Sequence, residues 1–169
     1  EGQGIRVSGA TLDAEGIDIS GGLDTTIGVR LATGEHSLED VVLSRQYSAA
    51  DTTSLGIELV WATLLCQDIT IEDYANGVRA YRSSMDCDNL EISNGRDTGL
   101  EIEGSAVSVY GVLSTSLHDI GANLIDSSTL HAESWQSNLH DDVSNIDAGS
   151  TATIRFLEAG NTGGFDAIG

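Results

Sequence analysis

"GIELVWATLLCQDITIE", residues 56 to 72, and "GVRAYRSSMDCDNLEIS", residues 77 to 93, follow one plan. Each begins with a glycine, continues with a hydrophobic residue, any residue and a second hydrophobic residue, and reaches a cysteine ten positions after the glycine. A third segment begins in the same way with "GLEI" at Gly99, so the starting glycines recur at a nearly constant interval. A regular period of this kind is typical of proteins built from stacked repeats.

Counting from each glycine places the apolar residues of the three segments in common columns. Within a segment, most of these residues form pairs two positions apart, and polar residues separate the pairs. Such pairs predict strands with one buried face, so each repeat contains about three short strands that stack as a solenoid. The columns are Ile57, Val78 and Leu100 at position one; Leu59, Ala80 and Ile102 at three; Leu64, Met85 and Val107 at eight; Cys66, Cys87 and Val109 at ten; Ile69, Leu90 and Val112 at thirteen; and Ile71, Ile92 and Ser114 at fifteen.

This pattern resembles the right-handed parallel β-helix of pectate lyases, related polysaccharide-active enzymes and viral tailspikes. The resemblance covers residues 56 to 117, extends over residues 1 to 55, and fades after Gly121. It implies an all-β solenoid with rungs of about 21 to 22 residues and irregular capping ends. We expect one domain over residues 1 to 169, with an N-terminal cap and early rungs in 1 to 55, regular rungs in 56 to 121, and irregular rungs and a C-terminal cap in 122 to 169.

Glycine units also occur near the start of the chain, at Gly4, Gly16 and Gly28. The interval between them is little more than half of the later one, which is too short for full coils of this size. The spacing therefore predicts hairpins or a differently folded cap in this region.

The charge of the chain excludes one class of partner. There are 27 acidic residues against seven arginines, no lysine, and a formal net charge of -20. Nucleic-acid binding relies on clustered Lys and Arg, so we expect no nucleic-acid partner. The composition resembles proteins of extreme halophiles, particularly haloarchaea and their viruses; an ordinary acidic surface is the alternative. No apolar run is long enough to cross a membrane, and the missing initial methionine suggests a processed chain or a segment of a longer one.

Cys66 and Cys87 occupy equivalent positions on adjacent rungs and are predicted to point inward. In-register strands place their Cβ atoms about 4.8 Å apart, beyond the roughly 3.5 to 4.5 Å of a disulfide. Two reduced thiols are therefore favoured, and a disulfide is the alternative. No second cysteine pair or nearby histidine completes four ligands, so we expect no metal and no cofactor.

The outward positions predict surface contacts between rungs. Position two stacks Glu58, Arg79 and Glu101, which gives a row of alternating charge, and position five places Trp61 beside Arg82. We interpret these as a surface salt-bridge ladder and a cation–π contact. If the protein binds carbohydrate, the best candidates for stacking on a sugar ring are Trp61, Tyr81 and Tyr110.

No catalytic set is predicted. A hydrolase needs converging carboxylates, and a lyase needs a base. Acidic residues occur at Asp86 and Asp88, at Asp68 ahead of Asn89, and in the "HDD" of residues 140 to 142. None of these matches the motif set of the polygalacturonase-like family, whose lysine is absent from this chain. The single histidines His36, His118 and His131 are predicted to be surface or turn residues.

We therefore expect a non-enzymatic structural or adhesive β-helix, displayed on a virion or a cell surface in high salt. The specific hypothesis is a tail, fibre or capsid-decoration protein of a halophilic archaeal virus, with virion or surface proteins or a host glycan as partners. The resemblance to tailspikes implies a homo-oligomer, most often a trimer. The alternative is a secreted polysaccharide lyase or glycoside hydrolase, which a deep groove with three or more acidic residues beside an aromatic ring would favour.

Overall fold

A computed structural model describes residues 2 to 48, 50 to 138, 140 to 160 and 166 to 167. These residues contain no helix and are 74% strand. Their strands are β1 (Gly2–Ser8), β2 (Asp13–Gly21), β3 (Thr25–Arg45), β4 (Leu55–Glu72), β5 (Asn76–Tyr81), β6 (Ser84–Cys87), β7 (Leu90–Ser93), β8 (Thr98–Glu103), β9 (Ala106–Ser116), β10 (Ile120–Ile125), β11 (Thr129–Asn138), β12 (Asp142–Ile146), β13 (Thr151–Gly160) and β14 (Asp166–Ala167).

The strands pair in parallel and wind the chain into about seven stacked turns, about 22 residues apart. The turn formed by residues 76 to 93 shows the three faces of the solenoid as separate strands: β5 on face one, β6 on face two and β7 on face three. β5 pairs with β4 and β8, while β6 and β7 both pair with β4 and β9. The predicted parallel β-helix is confirmed.

The first four predicted columns are confirmed residue by residue. On face one, the three residues of position one are register partners on adjacent turns, and so are the three residues of position three, as predicted. On face two, Leu64 pairs with Met85 and Met85 with Val107, and Cys66 pairs with Cys87 and Cys87 with Val109. All these side chains lie in one buried hydrophobic core.

The last two columns were wrong by one residue in the third segment. Leu90 pairs with Leu113 rather than Val112, and Ile92 pairs with Thr115 rather than Ser114. Leu113 is fully buried, whereas Val112 is 39% exposed. β9 has one extra residue where it turns from face two to face three. A shift of one residue exchanges the inward and outward side chains, so the columns predicted for face three were displaced.

The N-terminal segments are coils of the same solenoid, so the prediction of hairpins or a separate cap was wrong. β1 and β2 both pair in parallel with β3. The unit at Gly4 lies on face one, whereas the unit at Gly16 lies on face three, where Ile17 pairs with Val41 and Ile19 with Leu43. The short glycine spacing therefore comes from two faces of one turn.

The coils also continue beyond Gly121, where the sequence columns no longer aligned. β10 pairs with β12, and β11 pairs with β13 in register from Thr129 and Thr151 to Asn138 and Gly160. The rungs in this part are regular, contrary to the prediction. At the corner between faces one and two, this turn has two consecutive residues with positive φ, Asp126 and Ser127. The equivalent corner of the preceding turn has one such residue, Gly104. This extra corner residue breaks the fixed sequence period without breaking the register.

The repeated glycine on face one is required by the close approach of adjacent turns. A Cβ atom on Gly56, Gly77 or Gly99 would lie 2.8, 2.5 or 2.6 Å from the carbonyl oxygen of the equivalent glycine on the next turn. Backbone oxygens cannot move out of the way, so only glycine fits at these three positions.

A ladder of serines joins the corners between faces one and two. The Oγ atoms of Ser83, Ser105, Ser128 and Ser150 accept backbone N–H bonds from Ala62, Ser83, Ser105 and Ser128, over 3.1, 2.9, 3.3 and 2.9 Å. These bonds satisfy backbone amides at the corners, where the chain leaves one strand ladder for the next. Our sequence analysis missed this ladder, although a serine that recurs once per turn was a signal for it.

Candidate functional site

The corner between faces one and two carries an exposed tryptophan in a strained backbone conformation. Trp61 has a φ of 55°, in the left-handed region, and its side chain is 54% exposed. The corner residues of other turns, Gly9, Thr33, Arg82 and Gly104, are also left-handed, so the fold requires this conformation, which glycine adopts without penalty. A bulky residue there costs roughly 1 to 2 kcal/mol, so this indole is exposed at a cost in stability.

Three side chains form a cluster at this position, which we call the Trp61 corner: Trp61, Tyr81 and Arg82. The two ring centroids are 6.2 Å apart with their planes at 83°, and the Arg82 guanidinium lies 5.0 Å from the Trp61 ring and 5.4 Å from the Tyr81 ring. The predicted contact between Trp61 and Arg82 is present. A groove of about 630 Å³ runs beside it, lined by Trp61, Arg82, Ser83, Gly104, Ser105, Ala106, Asp126, Ser127 and Thr129.

Tyr110, the third predicted sugar-stacking residue, lies at a different corner. Its ring is 6.3 Å from that of His131, and it lines a separate depression of about 330 Å³ together with Asp86 and Asp88. The structure therefore brings together two of the three predicted aromatic residues and separates the third.

The predicted row of charges on face one is present, but only one of its two expected ion pairs, Arg79 with Glu101, forms among the described residues. Glu58, Arg79 and Glu101 are register partners, as expected. The Arg79 side chain donates a hydrogen bond to Glu101 over 2.6 Å. Glu58 instead forms an ion pair, with its carboxylate 3.0 Å from the guanidinium of Arg30 on the preceding turn, a residue that our sequence analysis did not include. These pairs are partly exposed and stabilise the surface by less than about 1 kcal/mol each.

Both cysteines are free and buried, as predicted. Burial raises the pKa of the Cys66 thiol, and Cys87, Asp86 and Asp88 raise it further. The Cys66 thiol is therefore a neutral, inert part of the core rather than a nucleophile.

Asp68 and Asn89, which the sequence analysis placed in adjacent columns, form a polar contact between two rungs. The side-chain amide of Asn89 donates a hydrogen bond to the Asp68 carboxylate over 2.7 Å. The Oδ1 atom of Asn89 accepts the backbone N–H of Val112 from the following turn over 3.0 Å. The two side chains therefore link three successive turns at the corner between faces two and three.

The corner between faces three and one contains a buried polar column that was not predicted. Tyr74, His118 and His140 are all buried, and Gly95 occupies the turn between Tyr74 and His118. The two imidazole rings stack with centroids 5.9 Å apart and planes at 18°. Burial, and then the neighbouring His140, lower the pKa of His118 to about 4. His118 is therefore neutral at pH 7.

A cavity of about 480 Å³ opens at this corner, and we call it the His118 cavity. Its lining includes three carboxylates, one guanidinium and one exposed tyrosine ring, and His118 also lines it. The residues are Tyr47, Asp73, Asn94, Gly95, Arg96, Leu117, His118, Asp119 and Asp141. Of the predicted "HDD" group, only Asp141 faces this space, because His140 is buried beneath it.

The prediction that the single histidines are surface or turn residues was wrong for His36, which is a buried strand residue; His118 does lie in a turn, between β9 and β10, but it is buried there. His36 and His118 are 2% and 3% exposed, whereas His131 is half-buried. His36 pairs with Leu64 in an inward column of face two, and its Nδ1 accepts a hydrogen bond from the Leu12 backbone N–H over 3.2 Å. Burial lowers the pKa of His36 as well.

Within the described ranges, no three His, Cys, Asp or Glu side chains are arranged to hold a metal ion. The same residues include no helix long and apolar enough to cross a membrane.

No protein-family model matches the chain, and comparisons with curated proteins and with solved structures also give no match. Any functional assignment therefore depends on the residues themselves.

Proposed function

We propose that this protein is a non-enzymatic, rigid β-solenoid that is displayed on a virion or cell surface and binds glycans through the Trp61 corner. The observation that carries the proposal is the exposed indole of Trp61, held in a left-handed conformation where glycine would be more stable. Strained residues of this kind are concentrated at functional sites. Exposed aromatic faces beside polar groups are suited to the apolar face of a sugar and its surrounding hydroxyls.

The surroundings of Trp61 support a binding role. Arg82 holds one side of the indole, and Tyr81 packs edge-on against it, so the ring is pre-positioned with little side-chain freedom to lose. The adjoining groove offers hydroxyl groups at Ser127 and Thr129 and a carboxylate at Asp126. Its lining reaches across the corners of four turns, and at about 4.8 Å per turn this gives a length of about 14 Å for an extended oligosaccharide.

The alternative, a secreted polysaccharide lyase or glycoside hydrolase, has one observation in its favour. The His118 cavity contains three aspartates beside the ring of Tyr47, which is the arrangement expected for an enzyme of this type. However, Asp119 and Asp141 are exposed, and a general acid needs an apolar setting that keeps it protonated. This environment favours binding over hydrolysis.

The proposal places the protein in high salt, as a tail, fibre or capsid-decoration protein of a halophilic archaeal virus or as a cell-surface protein. The net charge of -20 without a lysine supports this setting. As homo-oligomer we expect a trimer, by analogy with tailspikes.

The glycan proposal predicts a selective effect of Trp61→Gly. On a glycan array, the wild-type protein should bind at least one oligosaccharide, and the variant should bind it at least about ten-fold more weakly, which corresponds to about 1.4 kcal/mol. Because glycine relieves the left-handed strain, the free energy of unfolding should stay within about 1 kcal/mol of the wild-type value.

Tyr110→Ser is the matched control, since it removes an exposed ring from another corner and should leave glycan binding unchanged. Equal binding by wild type and Trp61→Gly would refute the assignment of the site. Shortened oligosaccharide products after incubation with the wild-type protein would instead establish the enzymatic alternative.

The high-salt setting predicts that the melting temperature rises with NaCl. At about 0.1 M salt the Debye length is near 10 Å and like-charge repulsion opposes compaction, whereas near 1 M it falls to about 3 Å and the longer-range repulsion is screened. Thermal melts from about 0.1 M to about 3 M NaCl measure this effect. A non-ionic osmolyte run in parallel separates screening from general strengthening of the hydrophobic effect. A melting temperature that does not rise with NaCl would contradict the halophilic assignment.

A further inference from the structure

Asparagine followed by glycine occurs twice in the chain, as Asn76–Gly77 and as Asn94–Gly95. This dipeptide is chemically labile, because glycine has no Cβ atom to hinder its backbone nitrogen from reaching the side-chain carbonyl carbon of the preceding asparagine. The two dipeptides lie at either end of the turn formed by residues 76 to 93. The structure nevertheless gives them opposite environments.

The first dipeptide is held inside the sheet. Asn76 and Gly77 belong to β5, which pairs in parallel with β4 on one side and β8 on the other. Asn76 is only 5% exposed, and its side-chain amide donates a hydrogen bond to the carbonyl oxygen of Ser54 over 3.2 Å. Attack by the Gly77 nitrogen therefore requires a central strand to open, and the free energy of such an opening approaches that of global unfolding.

The second dipeptide lies outside the strands, in the link between β7 and β8. The Asn94 side chain is exposed, and in the part of the chain that the structure describes the N–H of Gly95 donates to no backbone carbonyl. The nearest backbone hydrogen bonds on either side are the one accepted by Ser93 and the one donated by Arg96. Asn94 has a φ of 58°, in the left-handed region, so this corner can rotate to other conformations without breaking a strand ladder.

We propose that Asn94 is a site of spontaneous deamidation in the folded protein and that Asn76 is protected from the same reaction. The backbone nitrogen of Gly95 loses its proton to solvent and attacks Cγ of Asn94. The C–N bond of the side-chain amide breaks, ammonia leaves, and a cyclic succinimide forms. Water then opens the ring at either of its two carbonyl groups. The products are aspartate, or isoaspartate with the main chain running through the former side chain, and the net reaction consumes water and releases ammonia.

The packing around Gly95 makes the isoaspartate product costly. A Cβ atom on Gly95 would lie 1.8 Å from Cε1 of His118, whose ring is buried against it. Isoaspartate adds a methylene group to the main chain next to Gly95, and the closely packed interior has no space for the resulting shift. This corner is distinct from that of Trp61, so the inference goes beyond the proposed glycan-binding role and does not depend on it.

Peptide mapping by mass spectrometry tests the proposal, on the full chain incubated in the folded state at mildly alkaline pH. Cleavage after arginine separates the two dipeptides, because Arg79 and Arg82 lie between them. Conversion of the amide to a carboxyl group should be at least about ten-fold faster at Asn94 than at Asn76, since only the latter requires a strand to open. In urea-unfolded protein the two rates should become similar, because both residues precede glycine.

The ammonia released by the folded protein gives a second readout. The variant Asn94→Ser should lose this release, whereas the matched control Asn138→Ser, at another exposed asparagine, should retain it. Equal rates at Asn76 and Asn94 in the folded protein would overturn the proposal. So would an intact Asn94 over the period in which the unfolded chain reacts, or ammonia release that persists in Asn94→Ser, because the reaction would then be blocked in the fold or located elsewhere.

Discussion

Replacing Ile92 with aspartate is expected to abolish the cooperative folding of the solenoid. Ile92 is 1% exposed, and it lies in the inward column of face three between Ile71 and Thr115. Loss of the buried side chain alone costs about 2 to 5 kcal/mol, and an unpaired buried carboxylate adds a penalty of several kcal/mol. The sum is comparable to the whole stability of a typical domain, about 5 to 15 kcal/mol.

Circular dichroism during urea titration measures this effect. The matched control is Glu91→Asp, which places the same residue next to Ile92 on β7, where the side chain faces solvent. The control should change the free energy of unfolding by less than about 0.5 kcal/mol. If Ile92→Asp retained wild-type stability, the register of the strands would be wrong, since a shift of one residue exchanges these two positions.

Acidification is expected to destabilise the folded protein through His118. Its pKa is about 4 in the folded state, below the ordinary value of 6.5. As the pH falls, the unfolded chain therefore takes up a proton on His118 before the folded protein does, which lowers the free energy of unfolding. This loss begins near pH 6.5 and is complete near pH 4. The difference between the two pKa values corresponds to about 3 kcal/mol in the free energy of unfolding. His36, whose pKa is also lowered, acts in the same direction.

The difference in pH dependence between wild type and His118→Gln isolates this contribution. Protonation of the many carboxylates relieves repulsion in both proteins and cancels in the comparison. The free energy of unfolding, measured with urea at intervals between pH 7.5 and 4, should fall less steeply in the variant. Parallel curves for wild type and His118→Gln would show that His118 is not neutral and buried in the folded protein.

The middle of the fold could be predicted from the sequence because the repeat there has a nearly constant period. From Gly56 to Gly99, equal positions fall on adjacent rungs, so counting residues was sufficient to find the inward columns and the charged row on face one. The shift at Leu113 shows the limit of this counting. Corners accept an extra residue in a left-handed or looped conformation, whereas the ladder of hydrogen bonds restores the register on the next face.

Candidate sites were predictable only where they used neighbouring positions of the repeat. The contact between Trp61 and Arg82 belongs to this class, since both occupy position five of adjacent turns. The His118 cavity does not, because its residues come from four turns and from the connection that contains Tyr47. Gly95 shows why this could not be predicted. Its missing side chain leaves the space that the His118 ring fills, and no local pattern around either residue indicates this packing.

The amino-acid sequence by itself determined the architecture, the inward columns from residue 57 to 109, the reduced cysteines and the acidic surface, because each depends on residue type and spacing along the chain. Only the tertiary structure decided which corner holds an exposed tryptophan under strain, which histidines are buried, and which carboxylates share a cavity. Those properties depend on how the corners of successive turns stack. The hydrogen-bonded ladder holds the strands in register, but a single inserted residue at a corner changes which side chains meet there.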